Sequence, residues 1–199
     1  MSGFGVVRVF VDANVLYSRT LRDWLFLMAL ETSPPPYGVY WSEDVLAEVV
    51  HNLRKSYPDW DAAQTGRIRQ LLMRSFEGGL VDDFVVDGSF TGSDAADAHV
   101  HAAATRCHAS FLLTSNVRDF DPDSEGLPYE VITPDDFFVL VDDTVPTLVR
   151  AVTVSQMDYW AKRRPEARLP HYLRKAGCEN FAERVRRHQA RIGGLPPGL

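Results

Sequence analysis

The chain has 199 residues, 45% of them apolar, and a formal net charge of −6, which is enough for one α/β domain with a small appendage. It contains no window of about 18 apolar residues and no basic N-terminal segment followed by an apolar one, so the sequence predicts neither a membrane span nor a secretory signal. Its two cysteines, Cys107 and Cys178, form no disulfide framework and indicate a reducing, cytoplasmic setting.

Short apolar segments alternate with amphipathic ones along the first two thirds of the chain. Strands are predicted at residues 6–11, 39–41, 80–86, 110–113 and 129–132. Helices are predicted at 14–31, after the N-cap Ser42, at 58–77, at 94–108 and from 134 onward. This alternation is typical of a parallel sheet that helices cover on both faces.

The last quarter of the chain has a purely helical pattern. Apolar stripes predict helices near residues 148–160, 169–176 and 179–192, the second ending at Gly177. We therefore expect an α/β domain at residues 1–144 and a helical C-terminal extension at residues 145–199.

Charged residues are distributed unevenly between the first 150 residues and the rest of the chain. Residues 1–150 hold 11 Lys and Arg against 23 Asp and Glu, whereas residues 151–199 hold 10 against 4. One interpretation is a solvated helical face, or a tail that pairs with the acidic body. The other interpretation is that the basic residues bind a polyanion. The candidate residues are Arg163, Arg164, Arg168, Arg174, Lys175, Arg184, Arg186 and Arg187.

Four acids, distant in sequence, are predicted to meet at one edge of the sheet. Asp12 ends the first strand, Asp119 follows the strand at 110–113, and Glu48 and Asp97 lie in early turns of helices that begin on that side. Ligands of open parallel sheets bind beyond the carboxyl ends of the strands. Clustered carboxylates repel one another unless a cation neutralises them, and hard oxygen ligands select Mg²⁺ or Mn²⁺. Two such ions would activate a water and stabilise the leaving oxygen in phosphodiester cleavage.

Each acid also has a purely structural interpretation. Asp12 is a good helix N-cap, and Glu48 by itself is typical of a solvated helical face. Asp94 can cap its helix, which leaves Asp97, one turn later on the alanine-rich side, as the better metal ligand.

The polar turn after the strand at 110–113 is open to the same two interpretations. Asn116 can cap or turn the chain, and Asp119 can be a surface acid in a loop. Thr114 and Ser115 can hold a metal-bound water or bond the backbone of the turn. A zinc site lacks support, because no spacing among the nearby histidines and Cys107 matches tetrahedral coordination, and packing or exposure explains them better. These residues are His99, His101, Cys107 and His108.

The same four segments, in this order and spacing, resemble the PIN-domain nucleases, in particular the VapC-type toxins of toxin–antitoxin pairs. They are residues 11–16 (VDANVL), 41–49 (WSEDVLAEV), 94–104 (DAADAHVHAAA) and 113–120 (LTSNVRDF). The resemblance covers residues 6–140 and implies a three-layer α/β/α sandwich and a divalent-metal-dependent endoribonuclease. It also implies inhibition by a co-expressed antitoxin and dimerisation, which is usual in that family.

Two features depart from the shorter toxins of that family. An Asp often stands there at the position of Asn116, so the fourth acid here is Asp119 or is absent. The segment from about residue 145 is similar to C-terminal extensions of some longer PIN toxins and carries no catalytic motif.

Three hypotheses follow from these observations. In the first, Asp12 and Asp97 hold the main metal ion, Asp119 completes its shell, and Glu48 orients a second ion or the attacking water during RNA cleavage. In the second, the chain is a PIN-fold RNA- or protein-binding module with weak or no catalysis, as Asn116 indicates. In the third, the basic tail contacts the antitoxin rather than RNA.

Overall fold

A computed structural model describes residues 7–120 and 126–193 of the chain. Its internal contacts divide the chain into two compact units. The first, here the sheet unit, comprises Met1–Tyr17 and Pro36–Thr133, and the second, the helical unit, comprises Ser18–Pro35 and Pro134–Leu199. Each unit is built from two stretches of chain, so neither corresponds to a single run of the sequence.

The sheet unit contains a four-stranded, all-parallel sheet with the strand order β2-β1-β3-β4. The strands are β1 (Val7–Val11), β2 (Tyr37–Tyr40), β3 (Phe111–Leu113) and β4 (Glu130–Ile132). Val9 is in register with Val39 on one side and with Phe111 on the other. Val9, Phe10 and Val11 have no exposed surface, as expected of a central parallel strand. The predicted α/β class with a parallel sheet is confirmed.

Helices account for most of the remaining described residues. In chain order they are α1 (Ala13–Tyr17), α2 (Arg19–Leu30), α3 (Glu43–Ser56), α4 (Ala62–Phe76), α5 (Ala98–Arg106), α6 (Pro134–Thr144), α7 (Pro146–Ala161), α8 (Leu169–Lys175) and α9 (Glu179–Ile192). Helices α1, α3, α4 and α5 belong to the sheet unit, and α2 and α6 to α9 form the helical unit.

Side-chain caps determine where several of these helices begin. The hydroxyl of Ser42 accepts the N–H of Val45 at the start of α3, and Asp61 and Gln64 form a reciprocal capping box at the start of α4. Each such cap satisfies backbone donors that the first turn would otherwise leave free. The caps thus set the beginning of α3 directly after β2, beside the edge where the strands end.

The helical unit has its own aromatic core. The ring of Phe181 on α9 lies 5.1 Å from those of Trp24 on α2 and Phe138 on α6. A buried hydrogen bond joins His188 Nε2 and Asp142 Oδ1 at 2.7 Å. Burial of these rings supplies most of the driving force for packing α2 and α6 against α9.

Three predicted elements differ from the structure. The strand predicted at 80–86 is wrong, because Leu80 makes only an isolated bridge to Trp41. Val85 and Val86 are 79% and 52% exposed, so burial does not stabilise an extended strand there. The helix predicted at 14–31 is two helices, because the Ser18 side chain caps α2. The helix predicted from residue 58 begins at Ala62. The strand predicted at 6–11 is described from Val7, because residue 6 lies outside the described residues.

The domain boundary predicted at residue 145 does not coincide with the division into units. Helix α6 lies before that boundary, yet it contacts α7 and α9 and belongs to the helical unit, as does α2. The sequence pattern could not show this, because membership depends on long-range packing. Cys107 and Cys178 are buried and unpaired. No helix among the described residues has the length and apolar character needed to cross a membrane.

Candidate active site

The candidate site lies where β1 and β3 end. The chain leaves β1 toward β2 on one side and reaches β3 on the other, which is the strand-order reversal where open parallel sheets bind ligands. Asp12 directly follows β1 and Thr114 directly follows β3. The N–H of Asp12 donates to the carbonyl of Leu113 at 3.1 Å, so the sheet hydrogen bonding itself places these two side chains together.

The carboxylate of Asp12 is buried and held by three donors. It is 5% exposed. Its Oδ1 accepts the N–H of Ala13 at 2.5 Å, and its Oδ2 accepts Asn14 Nδ2 and the Thr114 hydroxyl, both at 2.6 Å. Asp12 is therefore more than a cap for α1, because two of its three donors are side chains, one of them from beyond β3.

Thr114 is the centre of a small hydrogen-bonded network. Its hydroxyl donates to Asp12 and accepts Asn14 Nδ2 and the N–H of Asn116, both at 3.0 Å. These three bonds use the full capacity of a hydroxyl group. Asn14 Oδ1 also accepts the N–H of Ser115. Thr114 thus bonds the turn backbone, as one of its two interpretations predicts, and it also orients Asp12. A role toward a metal-bound water stays a prediction.

Asn14 has no role of its own in the sequence pattern, beyond its place in the segment 11–16. In the structure its side chain joins the end of β1 to the turn after β3. Its position two residues after Asp12 is the only sign in the sequence of its bond to that acid. Its bond to Thr114, 100 residues away, could not be predicted from the sequence.

Asp97 is the most strongly perturbed acid of the site. It ends a 3₁₀ turn, Ala95–Asp97, that leads into α5. Burial raises the pKa of its carboxyl group most, the charges of Asp12, Asp94, Asp119 and Glu48 raise it further in that order, and together they bring it to about 7. Carboxyl groups so close to like charges cannot all ionise freely. Asp97 therefore exchanges a proton near neutral pH.

Asp12 and Glu48 respond to the same surroundings. Burial raises the pKa of Asp12, while its bonds to Thr114, Ala13 and Asn14 and the nearby His99 oppose that rise. Glu48 lies on α3 with its side chain exposed. Its pKa is raised by partial burial, then by the charge of Asp12. The charge of Asp12 raises the pKa values of both Glu48 and Asp97, so these three acids lie within electrostatic range of one another.

Asp119 reaches this region from a 3₁₀ turn, Val117–Phe120. The carbonyl of Asp119 accepts the N–H of Ser93 at 3.0 Å. A Cβ atom at Gly92 would lie only 2.2 Å from that carbonyl oxygen, so any larger residue at position 92 would push the turn away. Glycine there allows the close approach that brings Asp119 within the electrostatic range of Asp97.

Two further residues border the site. Asp94 accepts the N–H of Ala96 at 2.9 Å as a cap, and its charge raises the pKa values of both Asp97 and Glu48. His99 lies close enough to lower the pKa values of Asp12 and Glu48. Among the hydrogen bonds described for residues 7–120 and 126–193, the buried Nδ1 atom of His99 has none. Sequence reasoning assigned His99 to packing or exposure, because one histidine carries no motif.

The site residues match a hard divalent cation in kind. Carboxylates, with the oxygens of Thr114 and Asn14 behind them, are the donors that Mg²⁺ and Mn²⁺ prefer. A cation would also relieve the repulsion that raises the pKa of Asp97. In the described part of the chain, however, no group of three or more His, Cys, Asp or Glu side chains could hold a metal ion as it stands.

Comparisons with known proteins do not identify this chain: no family model, no curated protein and no solved structure matches it. The function of the chain must therefore be inferred from its own residues.

Proposed function

We propose that this chain is a divalent-metal-dependent endoribonuclease with a PIN-like, three-layer α/β/α sheet unit. The observation that carries the proposal is the convergence of four acids on Asp97, whose carboxyl pKa burial and like charges raise to about 7. Such accumulation of like charge opposes folding and is typical of functional sites. The order of the acids and their resemblance to PIN nucleases support the choice of reaction.

The residues of the sheet unit have distinct roles in this proposal. Asp12, Asp97 and Asp119 would hold the main ion, with Glu48 beside them, and the ion would supply electrostatic stabilisation of the charge that develops on the cleaved phosphodiester. Thr114 and Asn14 keep the Asp12 carboxylate in one orientation through their hydrogen bonds. The raised pKa of Asp97 would fall when the ion binds, because a cation favours the ionised carboxylate.

RNA is a polyanion, and the sheet unit is acidic, with 8 Lys and Arg against 17 Asp and Glu. Substrate binding therefore needs basic groups, and the helical unit has 13 Lys and Arg against 10 Asp and Glu. The affinity for RNA should fall steeply with salt, because each phosphate neutralised by a basic group releases counterions.

The resemblance to VapC-type toxins supports a further proposal, that a co-expressed antitoxin binds and inhibits the chain. Induction of the protein in a bacterial host should then arrest growth, and the Asp97→Asn variant should not. A small DNA-binding protein encoded directly upstream should copurify with the chain and restore growth. If Asp97→Asn arrests growth as strongly as the natural chain does, the proposal that the toxin acts through cleavage is refuted.

The nuclease proposal is tested by cleavage of total RNA with Mg²⁺ or Mn²⁺. We expect Asp12→Asn and Asp97→Asn to reduce cleavage at least 100-fold, in the range found when a group essential to the transition state is removed. Asp59→Asn, an equal charge change at an exposed position of the sheet unit, should cleave like the natural chain. Equal cleavage by all four proteins would refute the assignment.

Metal titration by calorimetry separates this proposal from a binding module without catalysis. The natural chain should bind Mn²⁺ at millimolar concentration or below, and Asp97→Asn should bind it at least tenfold more weakly. RNA binding that needs no metal, with no cleavage, would favour the binding module.

A further inference from the structure

A cavity of about 400 Å³ lies within the helical unit, among residues of α2, α7, α8 and the segment between α7 and α8. Its volume is in the range of pockets that hold small organic ligands. Arginines and aromatic residues make up most of its lining: Arg19, Trp24, Tyr159, Trp160, Arg163, Arg164 and Tyr172. The sequence showed the arginines, but it did not place aromatic rings beside them.

The aromatic surface is held in place before any ligand arrives. The rings of Trp160 and Tyr172 are nearly parallel, with an interplanar angle of 14° and centroids 6.0 Å apart. The indole N–H of Trp160 donates to the side-chain oxygen of Gln156 at 3.0 Å, and Gln156 is 8% exposed. This bond orients the indole ring, so stacking of a planar ligand requires little loss of side-chain freedom.

The cavity also carries uncompensated positive charge. Arg19 is 3.5 Å from Asp23, and the guanidinium of Arg163 lies 3.9 Å from the centroid of the Tyr159 ring. Among the ion pairs of the described residues, none involves Arg163 or Arg164. Both arginines are exposed, so they can bind an incoming anion.

Four other basic residues of the helical unit are already paired. Arg174 pairs with Glu179, Arg184 with Asp143, and Arg186 with Glu183. Arg187 also pairs with Glu183. These pairs neutralise part of the basic tail, whereas among the described residues Arg163 and Arg164 at the cavity take part in no ion pair.

We propose that this cavity binds a nucleotide, with the base stacked on the Trp160 and Tyr172 surface and the phosphate bound by Arg163 and Arg164. A planar ring and a phosphate together satisfy both halves of the lining, because bases stack on aromatic rings and guanidinium groups bind phosphate in a bidentate fashion. A cation would be repelled, and a neutral aromatic ligand would leave the arginines unused. The ligand is either a free mononucleotide or one nucleotide of a single-stranded RNA.

The proposal does not depend on the nuclease assignment, because none of its residues belongs to the acidic site and its test measures binding alone. The test uses the full chain in EDTA and follows the Trp160 indole N–H by NMR. The ligands are AMP, adenosine and ribose 5-phosphate. We expect AMP to shift this resonance in a saturable manner and the other two to bind at least tenfold more weakly. Equal binding of adenosine or of ribose 5-phosphate, or no saturation by AMP at millimolar concentration, would overturn the proposal.

Matched variants identify the groups responsible. The double variant Arg163→Gln, Arg164→Gln should raise the dissociation constant for AMP at least tenfold, and Tyr172→Leu should do the same. Arg191→Gln, an exposed arginine of α9 that does not line the cavity, should change it less than twofold. Circular dichroism verifies that each variant keeps its helices. An equal loss in Arg191→Gln would show unspecific charge attraction and overturn the proposal.

A 5′-phosphorylated 2′-O-methyl RNA tetranucleotide distinguishes the two sources of the ligand. Tighter binding than AMP, with the same Trp160 shift and the same loss in the double variant, assigns the cavity to single-stranded RNA. Affinity equal to that of AMP assigns it to the free nucleotide.

Discussion

Aspartates in the two units have opposite surroundings. In the helical unit, Asp135 on α6 accepts the N–H groups of Asn180 and Phe181 at 3.0 and 2.7 Å and the side-chain amide of Asn180, so it caps α9 from outside that helix. In the sheet unit, Asp97 is surrounded by four other acids and its carboxyl pKa is raised to about 7. A structural carboxylate is stabilised by donors, whereas the sheet unit retains a carboxylate that its surroundings destabilise. That difference, more than any single motif, is the reason for proposing the sheet unit as the place of the chemistry.

The largest effect is expected at Thr114. Thr114→Val keeps the shape of the side chain and removes the hydroxyl that orients Asp12, so RNA cleavage should fall about 100-fold through misplacement of that carboxylate. The free energy of unfolding should fall by about 2 kcal/mol because buried groups lose partners. Cleavage assays and urea denaturation measure the two effects.

Thr153→Val is the matched control for that variant. Thr153 is fully buried in α7, and its hydroxyl donates only to the carbonyl of Val149 in its own helix. Cleavage should not change. A comparable loss of cleavage there would mean that buried threonine hydroxyls act through stability alone.

The next largest effect is expected at Asp135. Asp135→Ala removes three hydrogen bonds at the start of α9 and should lower the free energy of unfolding by about 2 kcal/mol. Asp158→Ala, an exposed position of α7, should change it by less than about 0.5 kcal/mol. Chemical denaturation followed by circular dichroism compares them, and equal stabilities would remove the structural role of Asp135.

Asp97→Asn should have the opposite sign and a smaller size. Because the folded chain raises the pKa of Asp97 to about 7 from an ordinary value of 3.8, ionisation of Asp97 lowers the free energy of unfolding as pH rises from about 4 to 7. Asparagine cannot ionise, so the variant keeps the stability that the natural chain loses. With allowance for the partial exposure of Asp97, its free energy of unfolding at pH 8 should be higher than that of the natural chain by roughly 1 kcal/mol. It should vanish below about pH 4. Metal-free denaturation at both pH values tests this, and destabilisation at pH 8 would contradict it.

The smallest effect is expected at Asp94. Asn is also a good cap, so Asp94→Asn should keep the turn before α5 and remove one like charge. The pKa of Asp97 should then fall below 7, since the Asp94 charge helps to raise it. An NMR titration of the Asp97 carboxyl carbon measures the shift, and an unchanged pKa would separate Asp94 from the cluster.

Several parts of the site could be predicted from the sequence because local patterns determine them. The β-branched run before Asp12 predicts a buried strand that ends at an acid, and the structure has β1 at Val7–Val11. Ser42 predicts the start of α3 and so places Glu48 in its second turn. The strand at 80–86 failed because apolar residues alone do not provide a pairing partner, and Val85 is 79% exposed.

By itself, the sequence determined the parallel α/β class, the positions of β1, β3 and α3, and the types of side chain at the strand ends, since strand periodicity and helix caps act over a few residues. Only the tertiary structure decided that Thr114 donates to Asp12, that α2 and α6 join the helical unit, and that Arg163 and Trp160 line one cavity. The first two features depend on groups more than a hundred residues apart that packing brings together, such as Asp12 with Thr114 and Trp24 with Phe181. Burial and neighbouring charges then set the pKa of Asp97.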